Sequence, residues 1–439
     1  STGTGNALFG EGAGADLTTG EHNVAIGYRA LYQGTTETDD NVAIGYNAMS
    51  GAWTTAAVND CVVIGSGAGA GALTAGAVGT VAVGTSALAA LTSGADNIAI
   101  GQSAMSVHTT GSRNIAMGKS VMIDTDAHGD TLGSSDNVFI GHYAADGTWS
   151  NAASSQNVAV GNYSMTGVLA AALYNTCVGY SAGTSITSGQ SNVLLGRHAG
   201  LNITAGSNNV VIGMNTCDVT QDVDYIVAVG SDAMHTGECS VDGTIAIGQN
   251  ALSHHSSGVN NMGIGLGAGS GVTTGAGNTI IGAGAGDQMN ASDANNTIIG
   301  PNSFNGSHGA ANSANVAVGE NCLQGAMGAA NYNIAVGYGA LTAIVSGDNN
   351  IAIGGYALDA ADGAESDNIA IGYNAMSGAN HADCLKNTVV GSQAMAASVT
   401  GAAQNTCIGY GTGAALTDGD VNTFIGAYAG QSVNGGTNN

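Results

Sequence analysis

Short apolar triplets recur along the chain, each preceded by a polar residue and closed by glycine. The clearest copies are Asn23-Val-Ala-Ile-Gly27, Asn41-Val-Ala-Ile-Gly45, Asn97-Ile-Ala-Ile-Gly101 and Asn368-Ile-Ala-Ile-Gly372. Between Asn6 and Asn422 there are 24 such units, mostly 17–19 residues apart, with the longest step of 23 residues after Asn114. With the asparagine as position one and the glycine as position five, Asn fills position one in 20 units, the exceptions being Cys61, Thr80, Ile226 and Thr244, and Gly fills position five in all 24. A period of this size is the mark of a solenoid, in which each repeat is one coil stacked on the next.

The alternation of a strand places positions two and four on one face and position three on the other. Positions two and four carry mostly Val, Ile or Thr and then Ile, Val or Leu; position three is Ala in half the units. A face that demands small residues predicts the close approach of another backbone, so the strand is expected to be covered on both sides. A second apolar pair follows, as in Ala30-Leu31, Ala48-Met49, Ala104-Met105, Ala375-Met376 and Ala199-Gly200, and predicts a second short strand. A polar stretch of variable length completes the unit and predicts a surface loop. The expected fold class is all-β: a parallel β-solenoid of about 24 coils of 17–19 residues, forming one repeat array over residues 1–439, with the longest inserted loop at 119–136. In-register stacking turns each fixed position into a column. The asparagine column is expected to bond amide to amide, and the glycine column to mark a conformation or approach that a Cβ would forbid.

Composition narrows the function classes. The chain has 439 residues with 73 Gly, one Pro (Pro301), four Phe and two Trp, and so little aromatic mass for conventional globular cores. It is 44% apolar and 8% charged, which is not the composition of a disordered chain. The net charge is −25, and the cations are Arg29, Arg113, Lys119, Arg197 and Lys386, scattered singly. Nucleic acids and anionic membranes call for clustered cations and are not expected partners. No apolar run is long enough for a transmembrane helix. Seven cysteines without CxxC spacing read as small buried hydrophobes. Both ends fall within the repeat pattern, so the chain is expected to be an excerpt of a longer one. The modest apolar content of each coil, set against the entropy of ordering it, predicts an oligomer, with partner chains on the small position-three face.

A few local strings carry chemistry. Asp124-Thr-Asp-Ala-His-Gly-Asp130 alternates Asp124, Asp126 and Asp130 around a turn glycine, like the start of a calcium loop, but Ser135 stands where the closing glutamate belongs. These three aspartates are the metal candidates; no other cofactor is expected. Gly179-Tyr-Ser-Ala-Gly183 matches a nucleophile elbow, yet it sits in register with units lacking the serine, and no catalytic residues are expected. Glycine clusters such as 65–71 and 263–269 are explained by the repeat. His254 and His255 are neighbours expected to point to opposite faces.

The units 23–31, 41–49 and 333–341 (Asn-Val-Ala-Ile-Gly-Tyr-Arg-Ala-Leu and its variants) resemble repeats of bacteriophage tail fibres and related appendages. They also resemble the β-roll heads of trimeric autotransporter adhesins, whose coils are shorter. The resemblance covers nearly the whole chain. It implies a homotrimer at a virion surface or outside the cell: a structural stalk or attachment fibre that meets a host receptor, with a bacterial surface adhesin as the alternative. An ice-binding solenoid would need regular threonine columns on a flat face. A polysaccharide-lyase β-helix would need clustered carboxylates and bases. Neither pattern is evident.

Overall fold

The computed structural model describes residues 3–34, 37–52, 57–123, 133–149, 152–219, 222–236, 242–379 and 381–439. It is all-β, with 24 three-residue strands from β1 (Ala7–Phe9) to β24 (Thr423–Ile425), and no helix among the described residues. The chain divides into two compact units, Ser1–Asp224 and Tyr225–Asn439. Within each, successive strands pair in parallel and in register. In the first unit, for example, Val24, Ala25 and Ile26 lie opposite Val42, Ala43 and Ile44. In the second, Ile334, Ala335 and Val336 lie opposite Ile351, Ala352 and Ile353. Each unit is therefore a parallel β-solenoid of the expected class.

Among the described residues the strand is the only regular element in a coil. The second apolar pair lies in a run of turns, not in a second strand. Positions seven and nine there adopt left-handed conformations, as at Arg29 and Leu31 (φ 52° each) and at Asn47 and Met49 (φ 52° and 54°). The run still bonds to its neighbours: Arg29 N–H donates to Glu11 O (2.9 Å) and Leu31 N–H to Ala48 O (3.0 Å). Coil-to-coil pairing satisfies the backbone in place of a sheet ladder. An Ala-Leu pair has the same apolar pattern in either geometry, and so the turn reads as a strand in the sequence.

The facing of the strand is the reverse of the expected one. Position three points into the coil and is fully buried, as at Ala25, Ala43, Ala99 and Ala370. Positions two and four point outward and are half-exposed. The small-residue face meets the opposite wall of its own coil rather than a partner chain. Size complementarity with position nine shows why. Each of the twelve units with Ala at position three has Leu or Met at position nine, as in Ala25 with Leu31 and Ala99 with Met105. Several units with a larger position three have Gly there instead. A Cβ on Gly200 would come within 2.9 Å of Leu194, one on Gly183 within 2.7 Å of the Cys177 Sγ, and one on Gly430 within 2.6 Å of Phe424. In these coils the two walls of the interior trade volume, whereas Ile298 with Phe304 and Gly263 with Gly269 do not follow the trade.

Two columns fasten the coils. Asn23 and Asn41 are fully buried. Asn41 donates its backbone N–H and its Nδ2 to Asn23 Oδ1 (3.0 and 3.1 Å), and a second Nδ2 hydrogen to Val58 O (2.8 Å). The same geometry runs from Asn97 to Asn209 in the first unit and from Asn261 through Asn422 to Asn439 in the second. The buried amides are thereby satisfied. The glycine column behaves as expected. Gly27 has φ 131°, and a Cβ there would lie 2.5 Å from Gly45 O. Both the conformation and the space exclude a side chain.

Candidate functional site

The asparagine and glycine columns absorb the repeat residues Asn23, Gly27, Asn41, Gly45, Asn97, Gly101, Asn368 and Gly372 into stacking. Function must therefore be sought on the outer surface and in the loops. The outward faces of positions two and four form paired columns, mostly of Val, Ile, Thr and Met with Ala7, Phe9 and Leu195, that contain no charged residue in any of the described strands. Ile26 is 40% exposed, and Ile353 and Ile408 are similar.

Asp124, Asp126 and Asp130 lie outside the described residues. The edge of their loop is well tied. Ser135 Oγ accepts from Ser112 N–H (3.0 Å) and donates to Gly133 O (3.2 Å). Arg113, in the coil before the insertion, forms a two-pronged ion pair with Asp136 after it, at 2.6 and 2.9 Å. The guanidinium holds the Asp136 carboxyl below its usual range. Among the described residues no group of three or more His, Cys, Asp or Glu side chains is placed to hold a metal ion. No helix of the described residues is long and apolar enough to cross a membrane.

Ser181, the serine of the elbow-like string, sits in a turn at φ 53° with its N–H on Asn162 O (3.0 Å), and Gly183 behind it packs on Cys177. No helix follows it, so the strand-to-helix geometry of a nucleophile elbow is not formed. The six described cysteines are buried and unpaired to one another. Burial pushes the Cys177 and Cys322 thiols up to about 12, and those of Cys61 and Cys407 up to about 11. Raised by burial in this way, these thiols suit a space-filling role.

His254 and His255 do point apart. His255 is buried, with Nε2 2.6 Å from Gly258 O and 3.1 Å from Asn261 Nδ2. His254 is exposed, its Nδ1 2.8 Å from Ser270 O. A buried pair that the repeat pattern did not single out is Asp293 with His308, which meet at 2.5 Å. Asp293 also accepts from the Asn290 and Asn312 backbone amides (2.8 and 2.6 Å), so it closes loops between coils.

A trough of about 660 Å³ opens on the second unit beside His254. It runs between position seven of successive coils (Asn250, Gly267, Gly284, Asn302) and the turn residues His235, His254, Ser270 and Asp287. The signal for it in the sequence is two glycines, Gly267 and Gly284, in successive coils at position seven, where the other glycines (Gly12, Gly67, Gly339 and Gly411) are each followed one coil on by a residue with a side chain. The chain matches no known family model and no curated protein.

Proposed function

We propose that this chain is a structural segment of an extracellular or virion appendage, of the tail-fibre kind, that helps present a host-attachment apparatus. The observation that carries this reading is the assignment of every fixed repeat residue to coil-on-coil fastening: asparagine amides in one column, glycines in another and complementary walls inside. Such a sequence is constrained for stacking along one direction and leaves its loops free to vary, as suits a stalk. The alternating charge-free columns of positions two and four are the natural contact for further copies of the chain, and a homotrimer would cover them while the acidic loops stay in water. The chain acts in this reading without enzymatic chemistry.

Immunogold labelling of native particles tests the proposal. Gold along a thin filament projecting from a virion or cell supports it, and gold confined to free globular particles overturns it. Light scattering should give a mass three times the 42.5 kDa of one chain; a monomeric mass would remove the trimer.

A further inference from the structure

The trough on the second unit is unusual in what fills the corresponding space elsewhere. At Gly339 and Gly411, which also occupy position seven, a tyrosine ring from the next coil lies where the glycine leaves room. Tyr356 comes within 3.1 Å of a Cβ built on Gly339, and Tyr428 within 3.1 Å of one built on Gly411. At Gly267, its own chain neighbours aside, no atom of the described residues lies within 4 Å of such a Cβ, and the next coil presents a second glycine, Gly284. The result is a depression that extends along successive coils, with Asn250 and Asn302 in its lining.

The lining defines the ligand chemistry. The apolar part of the lining is Gly267, Gly284, Ala283 and Leu266, which suits the C–H face of a saturated ring. The polar part of the lining is the amides of Asn250 and Asn302, the His254 imidazole and the Asp287 carboxylate. Asp287 Oδ1 is buried without a hydrogen-bond partner, an acceptor in want of a donor. Burial also raises the Asp287 carboxyl above its usual range. No Lys or Arg lines the trough, which disfavours phosphates, sulfates and other anions. No metal-binding group of three side chains occurs among the described residues.

We infer that this trough binds a neutral, hydroxyl-rich ring, namely a pyranose unit of a glycan, with its apolar face against Gly267 and Gly284 and a hydroxyl donated to Asp287. Glycan binding here does not depend on whether the chain is a fibre, and it can hold or fail separately.

The test is saturation-transfer NMR of the purified full chain with methyl glycosides of glucose, galactose, mannose and N-acetylglucosamine, and with calcium and methylammonium as competitors. At least one glycoside should show transfer with millimolar affinity, unaffected by either cation. Gly267→Tyr should abolish it. The new Cβ enters open space, and its φ of 65° matches the conformations in which Tyr163, Tyr356 and Tyr428 already occur at this position (φ 58°, 55° and 58°), so the coil is kept. Asp287→Asn should weaken binding at least fivefold with an unchanged melting temperature. Absence of transfer from all four glycosides, transfer that survives Gly267→Tyr, or displacement by either cation overturns the inference.

Discussion

Two stretches of the first unit differ in a single column. From Asn97 to Asn209 every coil places an asparagine at position one, and each amide is held by the next. At Cys61 and Thr80 that ladder is interrupted. Cys61 still donates its N–H to Asn41 Oδ1 (3.0 Å), but the Thr80 hydroxyl is buried without a partner. The strands nevertheless keep one register across the gap, with Val62 opposite Val81 and Val81 opposite Ile98. Gly65 and Gly84 keep φ values of 143° and 139°. The comparison separates two roles. Backbone pairing and the glycine column close, stack and register the coils, while the asparagine ladder adds stability to coils already in register.

The largest effect should come from the column that both stretches share. Gly101→Ala puts a Cβ 2.2 Å from Gly118 O at φ 133° and should cost at least about 4 kcal/mol, with loss of amide protection in the flanking coils. Gly84→Ala should cost as much in the interrupted stretch; a markedly smaller loss of hydrogen-exchange protection there would show that the ladder, not the glycine, closes the coil. Next comes Asn137→Ala, which strands the Asn157 amides and Ser154 O and should cost about 3 kcal/mol by urea unfolding. Thr80→Ala, whose hydroxyl is already unpartnered, should cost far less.

A smaller penalty, about 2 kcal/mol, is expected for Ala99→Leu, which overfills the wall facing Met105. Ala99→Leu/Met105→Gly should recover most of it, since it copies the Leu194–Gly200 pairing; additive losses in a double-mutant cycle would mean that the two walls are not matched in size. The smallest effect is a gain. Thr80→Asn supplies an Oδ1 for the Asn97 amide and should stabilise by about 1 kcal/mol, read as greater protection of residues 81–83.

Much of this molecule was legible because its constraint is repeated. Twenty-four copies expose the strand triplets, the asparagine amide chain and the glycine that tolerates no Cβ, and each appears where the pattern placed it. The second apolar pair was misread as a strand because Ala30-Leu31 is apolar in either geometry, whereas its left-handed turns depend on backbone bonds to neighbouring coils. The inward face was misassigned although a signal existed. The exchange of volume between Ala99 and Met105, or Leu194 and Gly200, is visible in the sequence once the two positions are known to meet. The trough required knowing that Gly267 and Gly284, seventeen residues apart, line one depression together with His254 and Asp287.

The sequence by itself determined the coil length, the strands, their parallel register and the two fastening columns, because these are local periodic demands on backbone and hydrogen-bond chemistry that every unit must meet. The tertiary structure alone decided which face of the strand lies inside. A preference for alanine can be satisfied by a partner chain or by the opposite wall of the same coil, and only closure of the coil selects between them.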